Sequence, residues 1–383
     1  MTDTAGSLSK SHFIGLMSGT SLDGVDGVLV QIDSSGKPTL VARSSKTMPA
    51  ALKKELLALN APTDNEIHRA AMASQALVDL YAQAVEQLLQ LAQLSSSNVN
   101  AIGAHGQTVR HRPEHGYTIQ LNAPALLAEK TGIDVIADFR SRDMACGGQG
   151  APLVPAFHQA LFACEQTRVI LNLGGIANVT LLQPGWPVSG FDTGPANLLM
   201  DGWCQRHTGH PYDSEGAWGA NGTVQPSLLE WIIRSEAWFD KPPPKSTGRD
   251  QFNMAWLDSR LAQFAERQMQ QGISVPLEPI DVQATLQALT AITVVRALGQ
   301  HGVDSGDLYV CGGGAKNLAL LRLLRHEWRG QVQSTDELGV SAQDVEAMAF
   351  AWLAWAHGIK KTGNLPEVTG AAGGRVLGAR WPA

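Results

Sequence analysis

An apolar strand that enters a glycine-rich turn and then returns occurs twice in this chain, and this pattern constrains the fold more than any other feature. Phe13-Ile14-Gly15-Leu16-Met17 reads as a short buried strand and Ser18-Gly19-Thr20-Ser21-Leu22-Asp23-Gly24 as the turn. Val28, Val30 and Ile32 then alternate on one face of the returning strand. Residues 169–173, the turn Gly174-Gly175 and a strand from Asn178 to Leu182 repeat the shape, with a further strand ending at Phe191-Asp192. Each half continues alike, since 101–108 and 308–315 are apolar strands running into glycine turns.

A helix precedes each of these later strands. Thr63 with Glu66 three residues on makes a capping-box pattern, followed at helical spacing by Ile67, Ala70, Ser74, Leu77, Val78, Tyr81, Val85 and Leu88. Ala284, Leu286, Leu289, Ile292 and Val295 place a second helix over 281–298. The 383 residues exceed what one hydrophobic core usually supports, about 250–300. The expected division is an N-terminal domain over 1–135, with 358–383 packing on it, and a C-terminal domain over 136–357.

With 44% hydrophobic and 17% charged residues, the chain has the composition of a folded protein. The net charge of −6, with no Lys/Arg run longer than a pair, gives no footprint for nucleic acid as a partner. Cys146, Cys164, Cys204 and Cys311 lie far apart, which argues against a disulfide framework or a zinc knuckle and fits a reduced compartment. The first dozen residues lack the basic start and apolar run of a signal peptide, and the apolar stretch 347–356 is too short for a bilayer. A cytoplasmic protein without a membrane partner is therefore expected.

Glycines at a hairpin tip let the main chain approach a phosphate, and N–H groups with the Thr20 and Ser21 hydroxyls can donate to it. Neither the Walker pattern nor G-x-G-x-x-G occurs at a strand-to-helix junction. One such tip reads equally well as an ordinary hairpin; two favour the phosphate cradle. Asp23 and Asp26 are candidates to hold Mg²⁺ through its waters, although Asp26 also reads as a turn residue bonding its own backbone. Asp192 sits where a strand meets Gly194-Pro195, so its carboxylate is expected to project from the strand end as a base for a hydroxyl or water. The alternative is an Asp capping the next helix through Thr193 and Asn197. His105, His111 and His115 straddle a glycine turn and Pro113 without an acidic or Cys partner, so a substrate hydrogen bond from His105 or Gln107 is preferred to zinc. The stiff, Pro-rich insertion 238–250 reads as a surface loop at the rim of the site, as connector or as substrate contact.

Together these motifs carry a resemblance. The run from Gly15 to Asp26, Ala104-His105-Gly106-Gln107-Thr108, Asn172-Leu173-Gly174-Gly175-Ile176-Ala177-Asn178, Phe191-Asp192-Thr193-Gly194-Pro195 and Gly312-Gly313-Gly314-Ala315-Lys316-Asn317 are similar to the motifs of anhydro-N-acetylmuramic acid kinases, in order along almost the whole chain. The resemblance implies an α/β fold of two related actin-like, ribonuclease H-like domains, with mixed sheets flanked by helices, facing a nucleotide cleft. It implies a cytoplasmic homodimer that uses ATP and Mg²⁺ in peptidoglycan recycling. The implied reaction opens the anhydro bond of a 1,6-anhydro muramic sugar with water and phosphorylates the oxygen at C6.

Residue by residue, the resemblance implies ATP binding by Gly19, Thr20, Ser21, Leu22, Asp23, Gly24, Val25 and Asp26, by Gly174, Gly175 and Asn178, and by Gly312, Gly313 and Gly314 beneath the adenosine. Asp192 would be the base, and Asp23 the Mg²⁺ contact through water. Glu346 matches an acidic substrate contact and also reads as an exposed acid at a helix start. Arg140 suits the lactyl carboxylate as a bidentate partner, or else an ion pair with Asp138 or Asp143. Two other readings are a kinase for an ordinary free sugar hydroxyl and a sugar-sensing regulator or filament-forming ATPase. A regulator would usually add a DNA-binding helix-turn-helix, for which the short polar N-terminus leaves no room.

Overall fold

Alternation of apolar residues becomes strand at both expected hairpins in the computed structural model, which describes residues 11–19, 22–273 and 276–383. From the N-terminus the elements are β1 (Ser11–Met17), β2 (Gly24–Ile32), β3 (Pro38–Thr47), α1 (Ala50–Ala58), α2 (Glu66–Ala92), β4 (Val99–Ala104), β5 (Gln107–Arg112), β6 (Tyr117–Leu121), α3 (Pro124–Thr131), β7 (Val135–Ala137), α4 (Ser141–Met144) and α5 (Pro155–Phe162). Next come β8 (Arg168–Leu173), β9 (Ile176–Leu182), β10 (Ser189–Pro195), α6 (Asn197–Thr208), α7 (Pro226–Ser235), α8 (Met254–Gln270), α9 (Pro279–Gln300), β11 (Asp307–Cys311), α10 (Leu318–Glu327) and β12 (Val332–Ser334). The chain ends with α11 (Val345–Gly358), α12 (Pro366–Thr369) and β13 (Ala379–Trp381).

Internal contacts divide the chain into a first unit of residues 1–162 with 344–383 and a second of 163–343. The sequence reading put the divisions at 135/136 and 357/358. The difference is carried by α4, α5 and α11, of which α11 packs on β1, β2 and β4.

The first unit has one sheet in the order β13-β7-β4-β1-β2-β3, and the second has β10-β9-β8-β11-β12. In the first, β1 is antiparallel to β2 and parallel to β4, β3 is antiparallel to β2, and β7 is parallel to β4. In the second, β8 is antiparallel to β9 and parallel to β11, β10 is antiparallel to β9, and β12 is parallel to β11. Five strands thus repeat in order and sense. Two related α/β units with mixed sheets flanked by helices are the fold class that the resemblance implies.

Successive strand residues point to opposite faces, and β1 uses both. Ile14 and Leu16 join the core formed with Leu77, Tyr81 and Val85 of α2. Gly15, between them, faces α11: a Cβ on it would lie 1.8 Å from the Ala347 carbonyl oxygen. Its register partner on β4 is Gly103, where a Cβ would lie 2.0 Å from the Phe350 carbonyl oxygen. The paired glycines form a notch into which the helix backbone settles. In the second unit α9 buries residues on every side, among them Val282, Leu286, Leu289 and Val294. It is long and apolar enough by length and composition to cross a membrane, and is here a buried core helix.

Some local expectations are corrected. The capping box at Thr63 does not form: α2 is preceded by Asn65 in the left-handed region, the Thr63 hydroxyl accepts from Arg69, and Glu66 pairs with Arg110 at 2.7 Å. The helix expected over 281–298 extends two residues further at each end as α9. Strand β3 and the β5–β6 hairpin were not expected at all.

The notch makes a prediction. Gly103→Val sets a β-branched side chain against helix backbone that has no rotamer to yield, so it should destabilise the protein by about 3 kcal/mol. Gly358→Ala, with nothing near its added carbon, should leave stability unchanged or slightly raised. Urea midpoints of the two variants check this.

Candidate active site

In the first unit β1 delivers Ser18 and Gly19 to the hairpin tip. Thr20 and Ser21, both expected phosphate contacts, lie outside the described residues. The tip is closed by the Leu22 N–H donating to the Gly19 carbonyl at 3.2 Å. Leu22, at φ 56, and Val25 are buried, so these two candidates offer main chain rather than side chain. Gly24 begins β2. Asp23 is 67% exposed and accepts from Lys53 Nζ at 3.3 Å. Asp26 is not a turn residue: it lies within β2, opposite Met17 on β1 and Ser45 on β3, and is exposed.

Behind the tip, a polar group is assembled from three segments. The Ser18 hydroxyl donates to Gln107 Oε1 at 2.6 Å, both residues being buried. His105 is tied to β1 by its N–H, which donates to the Leu16 carbonyl. Its Nε2 faces Arg140 Nε at 3.1 Å and Nη2 at 2.9 Å, and its Nδ1 faces the Gly106 carbonyl at 2.7 Å. A guanidinium only donates and a carbonyl only accepts, so the imidazole is neutral with its proton on Nδ1. Burial, reinforced by the Arg140 charge, lowers the His105 pKa to about 3. Arg140 Nη1 also donates to the Gly150 carbonyl at 2.7 Å.

Thus Arg140 has an imidazole and a carbonyl as partners. The carboxylates weighed as its ion-pair partners also have contacts of their own. Asp138 accepts from Ser141 at 2.5 Å, and buried Asp143 accepts from Asn364, Thr369 and the Gly150 N–H. Glu346 stands in the first turn of α11, half-buried. It is one turn before Phe350, whose ring lies 4.7 Å from that of His105, and residues four apart share a helix face.

In the second unit Asp192 is buried inside β10 rather than at its end, since the strand runs on to Pro195. A register shift between Asp192 and Gly194 bends the strand there. Asp192 is opposite Asn178 on β9, and Asn178 is opposite Asn172 on β8. Directly paired residues share a sheet face, so the three polar side chains form a row. The alternative of Asp192 capping α6 is not what the structure shows: Ala196 is the cap residue, without a side-chain hydrogen bond.

Asp192 is instead gripped by the Pro-rich insertion. The Thr247 N–H donates to Asp192 Oδ2 at 2.8 Å, and the Asp192 N–H donates to the Lys245 carbonyl at 3.2 Å. Lys245 is itself buried, its Nζ donating to the Phe239 carbonyl at 3.2 Å and lying 4.6 Å from the centre of the Trp238 ring. Burial lowers its pKa, against the opposing pull of the Asp192 and Asp240 carboxylates.

The two glycine turns of this unit meet at β8. Gly174 and Gly175 accept from the N–H groups of Asn197 and Ala196 at the start of α6, and Asn197 Nδ2 donates to the Leu173 carbonyl at 2.9 Å. Gly312, at φ 80, lies so close that a Cβ would be 2.3 Å from Asn172 Oδ1, and one on Gly314 would be 2.5 Å from Leu173 Cβ. Gly313 is exposed between them. Ser18, Asn172, Lys245 and Thr247 were not chosen as site residues from sequence. Ser18 and Asn172 lie within the sequence motifs; Lys245 and Thr247 are identified only by their long-range contacts.

Comparison with known proteins agrees with the motifs. Residues 11–383 match the family model described as Anhydro-N-acetylmuramic acid kinase. The chain belongs to that family. Relatives bearing the family's name include those of Bordetella petrii, 59% identical over 97% of this chain and 96% of the relative, and Bordetella pertussis, 60% identical with the same coverage. One from Burkholderia orbicola is 53% identical, again over 97% and 96%. As a member of this family, the chain is a kinase.

The buried imidazoles give a pH prediction for this family member. Burial lowers the pKa of His105 and His158 to about 3 and of His111 to about 4, against an ordinary value near 6.5. Below pH 6.5 the unfolded chain binds protons that the native state refuses, so stability falls with pH towards these values. Each histidine should contribute on the order of 1–2 kcal/mol of loss between pH 6.5 and 5. Denaturant midpoints at pH 7 and 5 check this, and replacing His158 with Phe should reduce the difference.

Proposed function

We propose that the chain is an ATP-dependent kinase that opens 1,6-anhydro-N-acetylmuramic acid with water and phosphorylates its C6 oxygen, giving N-acetylmuramic acid 6-phosphate and ADP. The observation that carries this reading is Asp192: a buried carboxylate that accepts from the Thr247 main-chain N–H, opposite Asn178, in a chain of this family. Asp192 takes a proton from water as the water oxygen bonds to the anomeric carbon. The electron pair of the bond from that carbon to O6 stays on O6, which attacks the γ-phosphorus as the bond to ADP breaks, and Asp192 later gives its proton to solvent. The bridged sugar has no free C6 hydroxyl, so ring opening makes the nucleophile. Positioning and charge neutralisation then do most of the transfer.

ATP is taken by the main chain of the tip from Gly19 to Asp26, by Gly174, Gly175 and Asn178, and by the turn Gly312-Gly313-Gly314, which packs on the end of β8 and offers the exposed Gly313 main chain to the adenosine. Mg²⁺ supplies neutralisation of phosphate charge when bound, and few protein oxygens suffice for it. The exposed Asp23 carboxylate is a hard oxygen donor of the type Mg²⁺ takes, and we assign it that contact through water. Among the described residues no three His, Cys, Asp or Glu side chains gather as a metal cluster. On the sugar, Arg140 pairs with the lactyl carboxylate while His105 accepts from its guanidinium and orients it, and Glu346 and Gln107 are further contacts. We further propose a cytoplasmic homodimer working in peptidoglycan recycling.

Incubation with MgATP and the anhydro sugar in ¹⁸O-water should give a phosphorylated product carrying one heavy oxygen by mass spectrometry. Asp192→Asn should abolish it. Turnover of a free sugar without turnover of the anhydro form would replace this reading with that of an ordinary sugar kinase. Separately, Arg140→Ala should cut the preference for the muramic over the glucosamine anhydro sugar by about tenfold to a hundredfold, the worth of one charge-assisted hydrogen bond. An unchanged ratio of kcat/KM values would remove the assignment.

A further inference from the structure

Lys245 is only 5% exposed, and burying an ammonium costs several kcal/mol unless partners offset it. The Phe239 carbonyl and the face of Trp238 hold the group as a cation. The charges acting on it are Asp192, Asp240 and Arg296, of which the last two pair with each other at 2.5 Å. The cross-strand neighbours of Asp192, Asn178 and Asn172, do not titrate. If Lys245 merely filled space, a methionine would fill it equally well without the desolvation cost. What methionine lacks is a positive charge on the residue whose carbonyl accepts from the Asp192 N–H.

We propose that Lys245 is a positioning residue for Asp192: its buried ammonium favours the ionised carboxylate, while the 245–247 backbone fixes that carboxylate's direction. The inference rests on the reading of Asp192 as the base and deepens it. An ionised base is ready to accept the proton of water, and a fixed cation keeps it so at lower pH. The charge and the backbone grip come from the same three residues, so the insertion carries both to the base at once.

The test compares pH profiles of kcat/KM for MgATP and the anhydro sugar in the native protein, Lys245→Met and Lys245→Arg. Loss of the buried cation should move the acid limb up by about one pH unit in the Met variant, and Arg should largely restore it. A folded Met variant with an unmoved acid limb overturns the proposal. A second measurement needs neither a lysine variant nor turnover: the Lys245 Nζ titration followed by ¹⁵N NMR in the native chain and in Asp192→Asn. Coupling is reciprocal, so removing the carboxylate should lower the lysine's titration point, and an unchanged point overturns the proposal. If the native protein fails to turn over the sugar, the reading of the function fails while the NMR result still decides the coupling.

Discussion

The first unit depends on a contact made without side chains. Gly15 and Gly103 stand side by side in the sheet, and the backbone of α11 rests on both. This closeness fixes the depth and rotation of the helix, and with it the places of Glu346 and Phe350. Phe350 covers His105, and His105 in turn accepts from Arg140. The expected substrate contacts are therefore linked in series to one missing pair of β-carbons. Packed interiors transmit a shift of a few tenths of an ångström rather than absorbing it.

The second unit repeats the sheet order but not this device. Its corresponding strands pair Leu171 with Val310, so the sheet meets its neighbours through branched side chains. Its freedom lies instead in the connections. The insertion that follows α7 returns to β10 and grips Asp192, and two glycine turns converge on the end of β8. The two units thus share a sheet order and differ in the loops, which are less constrained by packing than the sheets.

Both hairpins and the long helices were legible in the sequence because each is signalled within a few residues, by alternation or by helical period. Other features are decided at a distance. Thr63 and Glu66 have the spacing of a capping box, yet Arg69 and Arg110 take both side chains. Arg140 lies between two acids in sequence, and its guanidinium reaches a histidine 35 residues earlier. The hold on Asp192 comes from 55 residues downstream through a backbone N–H, a group every residue but proline possesses and no motif can display.

Because Thr247 restrains Asp192 with its main chain, the restraint is indifferent to the identity of the side chain: nineteen amino acids can serve at the position, and only proline cannot. What the arrangement requires is the route of the chain rather than a particular side chain. The stiff run Pro242-Pro243-Pro244 just before it belongs to that route. The hold on Asp192 is therefore a matter of path length and curvature, and a deletion of one residue between Phe239 and Thr247 would disturb it more than most substitutions there.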